Sequence, residues 1–94
     1  MAKVIKHTGE VIEEVLPLNG RDFKLEELYQ HVGCEFVQMV RIADGRQMWL
    51  DEEGKFNQPE NYNTKATTLL IEAGGLPGDY IAGDVFICEG DEVL

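Results

Sequence analysis

The stretch "CEFVQMVRIADGRQMWLDEEG", Cys34 to Gly54, narrows the folds open to this chain more than any other. Two β-rich runs, Glu35 to Ile42 and Arg46 to Leu50, flank Asp44-Gly45. That dipeptide supplies the positive φ angles of a tight hairpin turn, so the runs read as adjacent antiparallel strands. "AKVIKHTGEVIEEVLPL" predicts a second hairpin, with short strands around Val4-Ile5 and Val11 to Leu16 and a turn at His7-Thr8-Gly9.

Between the hairpins, Leu25, Leu28 and Val32 fall at helical spacing, with Phe23 and Tyr29 in support. Asp22 is placed to cap this helix and Gly33 to end it. After a turn at Gly54, Ala66, Leu69, Leu70 and Ala73 predict a short helix capped by Asn63 or Thr64 and ended by Gly74. "LPGD" reads as a type II turn on Pro77-Gly78. "YIAGDVFICEG" then reads as one last, largely buried strand, with the acidic tail "DEVL" fraying after it. Hairpins rather than helical crossovers join most strands. The expected fold is therefore a single α+β domain over residues 1–94, with an N-terminal hairpin at 1–17 and an acidic tail at 90–94. Its sheet is mostly antiparallel, of about five strands, with a main helix on one face and one short helix besides.

A hydrophobic share of 44% separates the chain from disordered sequences, and its 94 residues suit one modest core. No apolar run approaches the roughly 18 residues needed to span a bilayer, so the expectation is a soluble cytoplasmic protein. Cys34 and Cys88 lie far apart, which favours free thiols over a disulfide scaffold. Eighteen acids against eight bases give a net charge of −10. After Lys65 there is no Lys or Arg, while Glu72, Asp79, Asp84, Glu89, Asp91 and Glu92 are all acidic. Direct binding to nucleic acid needs clustered bases to neutralise phosphates, so this pattern argues against it and favours a basic protein partner, or solubility alone.

The candidate sites each have a structural alternative. Trp49 beside Asp51, Glu52 and Glu53 could be an aromatic anchor rimmed by acids, or a core tryptophan next to a solvated turn. With Asp79, Asp84, Glu89, Asp91 and Glu92 these residues form the candidate partner-binding set. Phe56, Asn57, Asn61, Tyr62 and Asn63, with Gln58, could instead hold a nucleotide-like ligand by amide contacts and stacking, although Asn and Pro also favour plain turns. "GGLPG" follows a helix and opens a strand, the reverse of a phosphate loop. His31 and Cys34 are three residues apart but lack the further ligands of a zinc site or the orienting group of a nucleophile, and both cysteines read as small core residues within strands. No metal, cofactor or catalytic residue is assigned.

Taken together, "VGCEFVQMVRIADGRQMWLDEEGK", "NTKAT" and "GDYIAGDVFICEG" make the chain similar to a family of small bacterial and phage proteins known as domain-of-unknown-function family 3846. The resemblance runs from about Leu25 to Gly90 and rests on a helix ending in Val32-Gly33, the Asp44-Gly45 hairpin, Asp51 to Lys55, Asn63 to Thr67, and the Gly78-Asp79 and Gly83-Asp84 pairs. It implies no activity and no residue role, only the context of accessory gene products of phages and mobile elements. The leading expectation is a non-enzymatic accessory protein whose acidic surface binds and inhibits a host nucleic-acid-binding defence protein. The alternative is a small-molecule binder using residues 56–63, which calls for a homo-oligomer because a single small domain has little room for a deep pocket.

Overall fold

The computed structural model describes residues 2–75 and 78–93. The first hairpin pairs β1 (Ala2–Ile5) with β2 (Val11–Val15), and the second pairs β3 (Val37–Arg41) with β4 (Gln47–Asp51). Helix α1 (Leu25–Val32) lies between them in sequence. A one-turn helix α2 (Gly54–Asn57), helix α3 (Thr64–Glu72) and the final strand β5 (Val85–Cys88) follow. The fold is α+β, with one five-stranded sheet in the order β2-β1-β5-β4-β3 and every strand pair antiparallel.

Both hairpins close in the same way. Lys6 N–H donates to Glu10 carbonyl and Gly9 N–H to Lys6 carbonyl; Ile42 N–H donates to Arg46 carbonyl and Gly45 N–H to Ile42 carbonyl. These are three-residue loops with one left-handed glycine at the end, Gly9 at φ 99° and Gly45 at φ 91°. The second turn is thus one residue longer than the two-residue turn read from Asp44-Gly45. Asp44 keeps a negative φ, and its carboxylate accepts the Arg46 N–H at 3.0 Å.

Strand β5 is buried along its whole length because both faces of the sheet are covered. Phe86 and Cys88 pack with Phe23, Leu28 and Val32 of the α1 segment, together with Ala2 and Val4. Val85 and Ile87 point the other way, into Ile5, Met48, Ala66 and Ile81, with Leu69 and Leu70 of α3 against them. Burial of each of Val85, Phe86 and Ile87 contributes about 2 kcal/mol. Helices therefore lie on both faces, α1 on one as expected and α3 on the other. The "short" helix is nine residues against eight for α1.

Several local expectations change. Asp22 does not cap α1; it is drawn into a turn by Asn19, whose Nδ2 donates to it at 2.8 Å. The N-cap is Lys24, and the buried Glu27 supplies the missing acceptor, taking the N–H of Lys24 and that of Leu18, each at 2.9 Å. Gly33 ends α1 at φ 80° as expected. The last strand spans only Val85–Cys88, because Gly83 at φ 94° breaks the run from Tyr80. The tail expected to fray is held at Glu92 and Val93: Glu92 carbonyl accepts the Phe23 N–H at 2.7 Å and Val93 forms a parallel bridge with Phe23, while Leu94 falls outside the described residues. Cys34 is not in a strand but follows α1, its N–H bonded to Tyr29 carbonyl. The turn read at Pro77-Gly78 falls partly on Leu76 and Pro77, outside the described residues.

Candidate functional site

The strand ends define two poles. Ile5, Val37, Asp51 and Val85 lie toward one pole, and Ala2, Arg41, Gln47 and Cys88 toward the other. Glu52 and Glu53, which follow β4, and Asp84, which precedes β5, sit at the first pole. Glu89, Asp91 and Glu92, which follow β5, sit at the second. The nine residues of the predicted partner-binding set are therefore not one face. Asp79 bonds the Lys55 ammonium and the Tyr80 N–H, and these partners hold its carboxyl below the usual carboxylate range. Asp84 accepts the His7 N–H at 2.9 Å and lies 3.7 Å from Lys6 Nζ. Glu92 accepts the Glu89 N–H at 2.7 Å. Trp49 is half-buried, packed against the core on the α1 face, with its Nε1 donating to Gln47 at 3.3 Å.

Asp51 is only 6% exposed. Its two oxygens accept the Glu53 N–H at 2.9 Å and Gln58 Nε2 at 3.1 Å, so this acid shapes the loop. Gln58 in turn accepts Asn61 Nδ2 at 2.9 Å, and Asn61 carbonyl accepts the Gly83 N–H. Asn63 is fully committed as well. Its Oδ1 takes the Ala66 N–H at the start of α3, and its Nδ2 donates to Ile5 carbonyl at 3.0 Å and Gly83 carbonyl at 2.9 Å. Of the five residues predicted to hold a ligand, Asn61 and Asn63 are structural links. Tyr62 stacks on Tyr80 with ring centroids 5.4 Å apart, while Phe56 and Asn57 face solvent.

What the fold does assemble is an acidic, aromatic depression at the first pole, about 350 Å3 in volume. The α1 C-terminus supplies Gly33 to Phe36, and the β4–α2 connection supplies Asp51, Glu53, Asn57 and Gln58. The two segments are stitched together by the Glu52 N–H donating to Phe36 carbonyl at 2.9 Å. Phe36 is 58% exposed, and Phe56, the neighbour of Asn57 on α2, is 86% exposed. Glu35, Glu52 and Glu53 are exposed beside them. No Lys or Arg is among the described residues lining it. The nearest base in sequence, Lys55, is turned to Asp79 and the Tyr80 ring. Asp51, Glu52, Glu53, Phe56 and Asn57 of this site were among the predicted residues; Glu35 and Phe36 were not, although the β3–β4 register that pairs Val37 with Asp51 continues to Phe36 and Glu52.

The two thiols and His31 are shaped by burial. Burial pushes the Cys88 thiol up to about 11 and raises that of Cys34, so both are protonated near neutral pH. Cys34 Sγ donates to Phe36 carbonyl at 3.4 Å. His31 stacks on Phe86 with centroids 5.4 Å apart, and burial lowers its pKa. Among the described residues no group of three or more His, Cys, Asp or Glu is placed to hold a metal ion. None of the described helices is long and apolar enough to cross a membrane.

A family model, Domain of unknown function (DUF3846), matches residues 4–93. The chain belongs to this family. The match takes in the N-terminal hairpin as well as the segment that carried the resemblance, so the DUF3846 unit is the whole five-stranded sheet with its helices. This DUF3846 chain has no significant match among curated proteins or among solved structures.

Proposed function

We propose that this protein is a non-enzymatic binding module whose acidic pole engages a basic protein segment. The observation that carries the reading is the depression between Phe36 and Asn57, where exposed phenylalanines stand among Glu35, Glu52 and Glu53 with no Lys or Arg among the described residues lining it. A lysine or arginine of the partner pairs with a carboxylate there while its stem or guanidinium lies over a phenyl ring, a combination that strengthens as the contact is desolvated. The negative field around the site speeds encounter with a basic surface. In the context of a phage or mobile-element accessory protein, the partner is a host nucleic-acid-binding protein, such as a defence factor, whose basic surface is occupied and so inhibited. The raised thiol pKa values support a binding role over nucleophilic chemistry.

The test is affinity capture from a host lysate with the wild type and with Phe56→Ala/Glu52→Lys/Glu53→Lys. The expected result is a basic protein held at low salt, released both by high salt and by added duplex DNA, and bound at least tenfold more weakly by the variant. Equal capture by both proteins, or binding indifferent to salt, rejects the proposal.

A second reading has one observation in its favour: a cleft of about 210 Å3 on the α3 side, where Leu50, Leu70 and Ile81 meet Lys55, Asp79 and Tyr80. A nucleotide-like ligand could stack on the Tyr62–Tyr80 pair. The volume falls below the roughly 300 Å3 at which drug-sized pockets begin, so a single copy offers room only for part of such a ligand. Native mass spectrometry of the gently isolated protein separates the two readings by the mass of what it carries.

A further inference from the structure

The two edges of the sheet are built differently. On β2, Glu14 adopts a left-handed φ of 58° and the pairing with β1 shifts register, while Glu13 and Glu14 place charge along the strand. Such a kinked, charged edge resists pairing with another strand. On β3 all five residues, Val37 to Arg41, pair with β4 in unbroken register. This edge has no proline, glycine or bulge, and Met39 at its centre is 38% exposed. A straight, unprotected edge is a template for one more strand.

Charge identifies the occupant. The N-terminal end of β3 is acidic, with Glu35 just before it and Glu52 and Glu53 alongside. The C-terminal end carries Arg41 and Arg46; among the described residues Arg46 pairs with Asp44 at 2.7 Å, while Arg41 donates to the Gly45 carbonyl at 2.9 Å. A strand with opposite charges at its two ends is complementary to itself when turned antiparallel; a parallel copy would set like charges together.

We propose that β3 is a self-docking edge, where two copies pair β3 antiparallel about a two-fold axis at Met39 to form a continuous sheet. In this register Met39 faces Met39 of the second copy, Val37 faces Arg41, and Glu35 lies diagonally across from Arg41 on the same side of the sheet, within reach of its long side chain. The two-fold makes each contact off the axis twice. Met39 is also the cross-strand neighbour of Trp49, the sole tryptophan, so the seam runs one strand away from a natural fluorophore. The net charge of −10 on each copy opposes association, so the dimer forms at high protein concentration. The inference rests on the edge geometry and not on the partner proposed above.

Sedimentation velocity over a concentration series tests it. The wild type is expected to shift from one chain to two, with a parallel change in Trp49 emission. Arg41→Glu and Glu35→Arg should each weaken association at least tenfold, since each replaces two attractions by two repulsions. The double variant should restore it, a recovery that damage to folding would not show. In a Cys34→Ser background, Met39→Cys should crosslink on mild oxidation and Arg41→Cys should not. A wild type that stays monomeric at the highest attainable concentration overturns the proposal, as do a dimer unmoved by both single variants and crosslinking that is equal at the two positions.

Discussion

Asn63 uses every polar group it has. Its backbone N–H donates to Ile81 carbonyl at 2.8 Å, its side-chain oxygen starts α3, and its amide nitrogen holds the carbonyls of Ile5 and Gly83. At 1% exposure it fastens the end of β1, the loop before β5 and the first turn of α3 to one another. Asn63→Asp keeps the oxygen that caps the helix but points a carboxylate at two carbonyls. We expect a loss of about 3 kcal/mol, the cost of a helix cap being smaller than that of stranding two buried acceptors. Urea unfolding measures it, and a loss no larger than about 1 kcal/mol would mean that the cap alone matters. The helix-starting half of this role was legible, since Asn before an apolar helical run is a local signal. The clasp was not, because its carbonyl partners lie 58 and 20 residues away in the chain.

The same division between near and far runs through the secondary structure. Both hairpins and the end of α1 were readable because a glycine with positive φ punctuates each of them within a few residues. Helix α2 escaped notice because one turn is too short to show periodicity, and its cause is tertiary. Gly54 opens that turn against the loop before β5, where an added Cβ would stand 2.5 Å from Ala82 carbonyl. Gly54→Ala should therefore push α2 off the sheet and destabilise the fold by about 2 kcal/mol, in the range of overpacked sites. Hydrogen exchange is expected to rise at Gln58 N–H, which bonds Gly54 carbonyl, and at Gly83 N–H, which bonds Asn61 carbonyl. Unchanged protection there would show that the loop yields without cost. Helix α3 was legible, but not its place in the fold. Leu69 and Leu70 declared a helix but not which face of the sheet it covers, and only the full burial of β5 reports that both faces are taken.

At the scale of the whole molecule, pH acts on the fold through α1. Burial against Phe86 keeps the His31 pKa below 6.5, so on acidification the unfolded chain takes up that proton before the folded one does. Stability is expected to fall as pH drops below about 6.5. The N–H groups of Lys24 and Leu18 hold Glu27 below 4.5, so its contribution is present above that value and is lost as pH falls through the lower folded pKa. Melting temperatures should therefore decline in two stages, and His31→Gln should remove the upper one while leaving the lower. A single acid transition unaffected by that substitution would place the pH sensitivity elsewhere. Which acids share a pole was not legible in the sequence, because charge counts carry no topology. Glu52 and Glu89 look alike in composition yet lie at opposite ends of the sheet.

The strand that unites the sheet is the last of its five described strands to be synthesised. Each hairpin closes on local contacts, but β1 and β4 are joined only through β5. A nascent chain leaving the ribosome can thus carry two preformed hairpins and α1 with no sheet between them, their apolar faces bare until Val85 to Cys88 emerge. Completion is then a single insertion between two waiting edges, so the slow step of folding waits for Val85 to Cys88, and interruption of synthesis before Val85 leaves two sticky halves instead of a smaller domain.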